Sequence, residues 1–103
     1  MIKSFGNWQR IDYKSILYLK AEDYYTMIYT QSDSFLVRST LSQFESQLPE
    51  FFFFRCHRSY IVALEQIRSI NSNRTIRLLN DQVIPFSQVK RNQLLTRFSF
   101  TAK

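Results

Sequence analysis

Aromatic residues are the feature of this chain that most constrains its fold. Ten Phe, six Tyr and one Trp stand among 103 residues, against a single Gly and two Pro. Aromatic and β-branched side chains fit the pleated, half-buried surface of a sheet, so this bias favours strands over helices. Hydrophobic residues make up 45% and charged residues 21%, an ordinary globular balance, and a chain of this length has room for one core. We therefore expect a single, mainly β domain over residues 1–103.

Strand-prone runs recur along the chain between turn-forming residues. They lie at residues 16–21, 24–30, 35–38, 51–62, 67–70, 75–79 and 83–86. The first three runs predict a meander. The pair Asn80-Asp81 predicts a tight turn that closes a hairpin into the last run.

Two short helices interrupt this strand pattern. Ser39 or Thr40 can cap a helix, Gln43 lies three positions after Thr40, and Pro49 ends the segment, so a helix is predicted over residues 40–48. Its apolar side chains recur at helical spacing and predict a stripe against the sheet: Leu41, Phe44 and Leu48. A second helix is predicted at 88–95, with Ser87 as its cap.

Charge is unevenly distributed between the two halves of the chain, whose net charge is +6. Residues 1–50 carry five basic and six acidic residues, whereas residues 51–103 carry nine basic and two acidic ones. A positive field of this kind suits a polyanion such as nucleic acid, or an anionic membrane surface. The alternative is a basic, soluble domain whose charges are simply solvated.

The sequence also bears on the compartment in which the protein works. It contains no run of about 18 apolar residues that would predict a membrane-spanning helix, and residues 1–6 lack the apolar core of a signal peptide. The single cysteine, Cys56, cannot form an internal disulfide, which fits a reducing cytoplasm. We expect a cytoplasmic protein.

Catalytic chemistry is disfavoured by the residues present. The single histidine, His57, directly follows Cys56, and adjacent side chains of an extended segment point to opposite faces, so a thiolate–imidazole pair would be misdirected. One His and one Cys cannot fill a zinc site, and a single Gly cannot build a phosphate-binding loop. We expect no enzyme activity, no metal and no cofactor. Cys56 shares the parity of Phe52 and Phe54 and is predicted to be buried.

The segment from Arg55 to Tyr60 concentrates two guanidiniums, an imidazole and two hydroxyls between apolar runs. Arginine can grip phosphate with two parallel hydrogen bonds, or reach the two acceptors of guanine in a major groove. Hydroxyls and backbone amides commonly bind phosphates beside it. The alternative is that Arg55 pairs with an acid and that His57 is satisfied at the edge of the domain.

A family resemblance bears on this choice. Residues 53–62 read FFRCHRSYIV and resemble the signature of the LytTR family of bacterial DNA-binding domains. Three further segments agree with the family in order and spacing, namely ILYLKAEDYY at 16–25, FLVRSTLSQFE at 35–45 and IPFS at 84–87. The resemblance covers roughly residues 10–95.

The resemblance implies an elongated stack of small, mostly antiparallel sheets with one or two short helices. Members of the family dock loops, rather than a recognition helix, into successive major grooves. The base-reading position of the central loop falls on Arg58. The implied DNA-binding set is Asp23, Tyr24, Tyr25, Thr26, Arg55, His57, Arg58, Ser59, Ser87, Gln88, Lys90 and Arg91. The chain departs from the family at Ala63, where Asn is common, and in the C-terminal loop, where Gln88 and Val89 precede the basic pair. The second departure leaves open which residue of that loop faces the groove.

The function implied is sequence-specific binding of double-stranded DNA, as the output domain of a response regulator in a bacterial two-component system. Two copies, each a monomer in solution, would pair on repeated half-sites. The chain would be either a fragment of a regulator with an N-terminal receiver or membrane sensor domain, or a stand-alone regulator. The alternative is a protein-binding or single-strand-binding β module that uses Tyr24, Tyr25 and the basic residues, because single strands are held by aromatic stacking along a basic track.

Overall fold

The computed structural model describes residues 2–4 and 7–101, with side chains described from residue 8 to residue 100. Its strands are β1 (Ile2–Ser4), β2 (Asn7–Gln9), β3 (Ile16–Glu22), β4 (Tyr25–Thr30), β5 (Ser34–Val37), β6 (Phe53–His57), β7 (Tyr60–Ala63), β8 (Ile67–Asn71), β9 (Thr75–Leu78) and β10 (Val83–Pro85). Its α-helices are α1 (Leu41–Gln47) and α2 (Arg91–Thr101), and 3-10 turns lie at Tyr13–Ser15, Leu64–Gln66 and Gln88–Lys90. The prediction of a mainly β fold is confirmed.

A five-stranded antiparallel sheet is the central element, with the strand order β5-β4-β3-β7-β6. Strand β3 pairs on one side with β4, where Glu22 lies opposite Tyr25, and on the other side with β7, where Lys20 lies opposite Tyr60. Because β3 and β7 run antiparallel, the β3–β4 turn and the β6–β7 turn leave the sheet at the same edge.

Two smaller antiparallel sheets complete the described part of the chain. Strands β8, β9 and β10 form one, in the order β10-β9-β8, and β1 pairs with β2 in the other. The β9–β10 hairpin confirms the tight turn predicted at residues 80–81. Asp81 has a φ of 72° there, a left-handed conformation that Asp adopts more readily than most residues.

Hydrophobic cores lie on both faces of the central sheet. The face that carries α1 is built from Ile16, Leu19, Ile28, Val37, Leu41, Phe44, Phe53, Ile61 and Ala63. The other face packs against β8–β10 and α2 through Leu17, Tyr18, Cys56, Val62, Leu64, Ile67, Ile76, Leu78, Ile84, Phe86 and Leu94. A strand covered on both faces is apolar throughout rather than alternating, which explains why residues 16–19 are all buried.

The helix α1 confirms the predicted capping box. The Thr40 hydroxyl accepts a hydrogen bond from the Gln43 amide at 3.2 Å, and the Gln43 side-chain oxygen accepts one from the Thr40 amide at 2.8 Å. Leu41 and Phe44 are buried, and Leu48 packs against the same core as the C-terminal cap. The cap and the apolar stripe therefore hold α1 flat on the sheet.

The structure differs from the sequence-based prediction in three places. The hairpin β1–β2 was not predicted. The single run at 51–62 is two strands, β6 and β7, joined by a two-residue turn. The last helix is displaced: a 3-10 turn precedes it, Ser87 makes no side-chain cap bond, and α2 extends to Thr101. Leu94 is buried and Phe98, one turn later, packs against the same core, so docking rather than capping sets the bounds of α2.

Within the described residues, neither helix has the length and the apolar character that crossing a membrane requires.

Leu94 is the side chain of α2 that is fully buried, so its truncation should detach the helix from the core. We expect Leu94→Ala to lower the free energy of unfolding by about 2–5 kcal/mol, measured by urea denaturation. Leu79→Ala removes the same atoms from a half-exposed site and should change the free energy by no more than about 0.5 kcal/mol. Equal stability of the two variants would show that α2 does not depend on Leu94.

Candidate nucleic-acid interface

The strand order brings four segments to one edge of the central sheet. In sequence across the sheet they are Arg38 at the end of β5, the β3–β4 turn at residues 23–24, the β6–β7 turn at residues 58–59, and the loop at residues 87–91. Main-chain hydrogen bonds fix their spacing: the Ala21 amide donates to the Ser59 carbonyl at 2.9 Å, and the Ser87 amide donates to the Cys56 carbonyl at 2.8 Å. We call these four segments the loop edge.

The β3–β4 turn presents an exposed aromatic ring. Asp23 is left-handed with a φ of 57°, and Tyr24 beside it is 82% exposed. Tyr25 begins β4 and is half-buried. Thr26 is completely buried, and its hydroxyl donates to the Ser39 carbonyl at 2.8 Å. Four residues of this segment were predicted to bind DNA, and the side chain of one of them, Thr26, is not at the surface.

The β6–β7 turn presents Arg58, whose side chain is exposed. His57 stabilises the turn from one side, because its Nδ1 accepts a hydrogen bond from the Ser59 amide at 3.1 Å. The His57 ring also packs edge-on against Tyr60, with 5.7 Å between the ring centroids. With Nδ1 acting as acceptor, the neutral ring carries its proton on Nε2. His57 and Ser59 hold the turn, and Arg58 projects from it.

Arg55 is placed differently from the other predicted cations. Its side chain is 20% exposed, and its Nη1 donates to the Ser42 hydroxyl at 2.9 Å and to the Glu45 carboxylate at 3.1 Å. Its Nη2 donates to the Arg58 carbonyl at 2.6 Å. The structure thus agrees with the alternative in which Arg55 pairs with an acid, and both terminal nitrogens of this guanidinium bind protein acceptors.

The loop at residues 87–91 lies beside β6 and continues into α2. Gln88 and Arg91 are exposed, as is Val89 at 88%. The Lys90 ammonium lies 5.9 Å from the centre of the Phe54 ring, in a cation–π contact. Two cations at the first turn of a helix oppose its dipole, so this placement does not serve the stability of α2.

Arg38 is a cation of the loop edge that the sequence-based prediction missed. It follows β5 directly and is exposed. Strand β5 runs parallel to β3, so its end lies beside the β3–β4 turn; Thr26 and Val37 are register partners. The sequence shows that Arg38 follows a strand, but its position beside the β3–β4 turn depends on the strand order.

The loop edge is net positive. Arg38, Arg58, Lys90 and Arg91 are set against Asp23. Lys20 and Glu22 form their own ion pair beside it, with 3.4 Å between Nζ and the carboxylate. Electrostatic interaction with Tyr60, and to a lesser extent with Glu22, raises the pKa of Lys20.

Cys56 lies directly behind the central turn and is completely buried. Its Sγ is 3.6 Å from the Pro85 carbonyl and 3.8 Å from the Tyr60 carbonyl. Burial raises the pKa of the thiol to about 12. The prediction that Cys56 is buried is confirmed, and its role is to pack β6 against the β8–β10 sheet. In the part of the chain that the structure describes, no three His, Cys, Asp or Glu residues are grouped so that they could hold a metal ion.

Comparisons with known proteins agree on one family. The family model described as the LytTr DNA-binding domain matches residues 6–99. The transcriptional regulatory protein YpdB of Escherichia coli K12 is 38% identical over 80 residues, which are 73% of this chain and 33% of that protein. The sensory transduction protein LytT of Bacillus subtilis is 33% identical over 88 residues, 82% of this chain and 36% of that protein.

A solved LytTr DNA-binding domain from Bacillus cereus has the same fold. It superposes with a TM-score of 0.81 at 27% sequence identity, over 96% of this chain and 94% of that one. The chain spans about a third of the length of the curated relatives that it matches.

The burial of Cys56 predicts an inert thiol, because the thiolate is the reactive form. We expect iodoacetamide at pH 8 to label the native protein about a thousandfold more slowly than the urea-unfolded protein, whose thiol has an ordinary pKa of about 8.5. Mass spectrometry of timed samples measures both rates. Rapid labelling of the native protein would contradict the buried position.

Proposed function

This chain belongs to the LytTR family of DNA-binding domains, and we propose that it binds double-stranded DNA sequence-specifically, as the output domain of a bacterial transcription regulator. The observation that carries the proposal is the loop edge, where four segments distant in sequence are held in a row by main-chain hydrogen bonds. The net positive charge of this edge suits the phosphate backbone of a duplex.

The dimensions of the loop edge support docking into more than one groove. Strands in a sheet lie about 4.8 Å apart, so four strand spacings separate Arg38 from β6 by about 19 Å. A major groove is about 12 Å wide, which is narrower than this row. Since one groove cannot take the whole row, we infer that neighbouring turns enter successive grooves, with phosphates lying between them.

The predicted site residues divide into three roles under this proposal. Arg58 reads a base edge, because it projects from a rigid turn and a guanidinium can take both acceptors of guanine. Tyr24, with Asp23 and Tyr25 beside it, approaches the neighbouring groove. The remaining contacts go to phosphates, from Ser87, Gln88, Lys90, Arg91 and the added Arg38. His57 and Ser59 hold the central turn in shape.

The wider assembly follows the same proposal. The chain acts without catalysis, in the cytoplasm, as part of a response regulator whose signal-receiving domain is a receiver or a membrane sensor. A single module buries only about 600–1,000 Å² on DNA, so tight binding uses two copies, each a monomer in solution, on repeated half-sites of one duplex.

A second candidate function is binding of single-stranded nucleic acid. The observation that favours it is Tyr24, which is 82% exposed beside a basic row and could stack on a base. Competition between duplex and single-stranded DNA of the same sequence, at one salt concentration, distinguishes the two functions. Duplex binding predicts that single strands compete poorly.

Substitution of the base-reading residue and of the phosphate-binding residues should have different effects on DNA binding. Arg58→Ala should lose about 1–3 kcal/mol of discrimination at one base pair, because a bidentate contact is lost. Replacing both Lys90 and Arg91 by Ala should weaken binding to all sequences alike and flatten the slope of log affinity against log salt by up to about two units. Binding isotherms on a set of single-substitution duplexes, at several salt concentrations, measure both effects.

Two results would contradict these assignments. If the double variant changes base preference while Arg58→Ala changes only the salt slope, the roles of the two loops are reversed. If neither variant alters DNA binding, the loop edge is not the interface. Circular dichroism of each variant serves as the control for folding.

Paired binding makes the spacing of the half-sites decisive. Inserting about five base pairs, half a helical turn, turns the second half-site to the opposite face of the duplex. We expect this insertion to abolish cooperative binding of two copies, measured by gel shift across a concentration series. An insertion of about ten base pairs is the matched control, and it should retain more cooperativity than the half-turn insertion. Equal cooperativity on the original and the half-turn duplex would exclude paired docking.

A further inference from the structure

Arg55 links the helix α1 to the β6–β7 turn of the loop edge. Its Nη1 binds α1 through Ser42 and Glu45, and its Nη2 binds the carbonyl of Arg58 in the β6–β7 turn. We propose that Arg55 is a positioning residue, which ties the main chain of this turn to α1 and so sets the place from which Arg58 reads a base. The inference rests on the proposed function and assigns Arg55 a role other than contact with DNA.

The path of β6 explains why this side chain reaches α1. Phe54 is paired with Val62 and His57 with Tyr60, so the register of β6 shifts between them and Arg55 and Cys56 together oppose Ile61. This two-against-one pairing is a β-bulge, and it leaves the alternation of side chains from Phe53 to Cys56 intact. Phe53 and Arg55 therefore lie on the face that carries α1, and Phe54 and Cys56 lie on the other face. Cys56 enters the core under β8–β10, and Arg55 reaches Ser42 and Glu45 of α1 on the opposite face.

The anchor at the other end is rigid. The helix α1 is fixed by its capping box and by Leu41 and Phe44 in the core. The Arg58 carbonyl is therefore connected, through one guanidinium, to a helix that cannot shift without disrupting packing. The bonds from the Ala21 amide and to His57 hold Ser59, whereas Arg55 binds the carbonyl of Arg58 itself. A base contact needs accurate placement of its donor.

The same contacts argue against a direct grip on phosphate by Arg55. Both terminal nitrogens already donate to protein acceptors, and Nε is buried without a partner among the described residues. A phosphate could bind Nη1 only by displacing Ser42 or the Glu45 carboxylate, which lies 3.1 Å away, and the second N–H of Nη2 offers a single bond rather than a bidentate grip. An arginine is required here because its planar fork reaches acceptors on two elements at once.

Arg55→Lys is the variant that separates these roles, because it keeps the charge and removes the fork. One ammonium nitrogen cannot occupy the positions of Nη1 and Nη2 together. We expect discrimination at the base pair read by Arg58 to fall about three- to tenfold, the effect of breaking one hydrogen-bond network. The salt slope should be unchanged, because no phosphate contact is lost.

A double-mutant cycle shows whether Arg55 acts through Arg58. In an Arg58→Ala background, Arg55→Lys should cause no further loss of discrimination, since the reading side chain is already gone. Loss that persists in that background would overturn the inference. So would a variant that keeps full discrimination, or one that loses affinity for all sequences with a flatter salt slope.

Arg68→Lys is the matched control. Arg68 donates to the Leu79 carbonyl at 3.0 Å and lies 3.8 Å from Asp81, so it too links a carbonyl and an acid. It lies at the other end of the molecule, because the Leu79 amide binds the Gln66 carbonyl, and the Gln66 side chain meets Gln31 in the β4–β5 turn. Discrimination by this variant should equal that of the native protein.

Two further variants cover the case in which Arg55→Lys fails to fold, as judged by circular dichroism. Ser42→Ala and Glu45→Gln weaken the same contact from the exposed face of α1, and their combination should reduce discrimination in the same direction. Unchanged discrimination in a folded double variant would overturn the inference. If Arg58→Ala alone leaves base preference intact, the proposed reading role fails and this inference with it; if only the Arg55 and α1 variants are silent, the inference fails by itself.

Discussion

The pairing of β3 with β7 is the interaction on which the rest of this structure depends. It joins two hairpins through residue pairs that lie about forty positions apart in the sequence, with Lys20 opposite Tyr60 and Tyr18 opposite Val62. Because the pairing is antiparallel, it brings the two turns to one edge, and the bond from the Ala21 amide to the Ser59 carbonyl joins them directly. The same pairing creates one sheet with two apolar faces, on which α1 and the β8–β10 sheet can each bury a core.

Rigid turns replace a recognition helix at the proposed interface. Several main-chain and side-chain bonds converge on the central turn, from Ser59, His57 and Arg55, while Arg58 itself remains exposed. Arg55 and Cys56 are adjacent in sequence and serve opposite faces of the sheet, one as a polar link to α1 and the other as a buried thiol. The motif is therefore mostly a scaffold, and Arg58 is the residue within it that is exposed.

Much of the fold could be predicted from local patterns. The capping box of α1, the turn at Asp81 and the buried parity of Cys56 are each contained within a few residues, and each was confirmed. The bounds of α2 were not predictable, because the docking of Leu94 and Phe98 on a distant core sets them. The surroundings of the candidate site residues also depend on tertiary contacts: Thr26 is buried, Arg55 pairs with Glu45 of α1, and Arg38 lies on the loop edge.

The sequence by itself determined the class of fold, the position of α1, the identity of the central motif and its family. These depend on residue types and short spacings, which act through local sterics and hydrogen bonds. Only the tertiary structure decided which cations lie together on the loop edge and which are paired with other groups of the protein. The proximity of Arg38, Tyr24 and Arg58 is a property of strand order, and the contacts of Arg55 depend on the position of α1, whose Glu45 lies ten residues earlier in the chain. These contacts exist because the burial of a core on each face of the sheet fixes the arrangement of the strands and of α1. No pattern within a few residues of the sequence contains that arrangement.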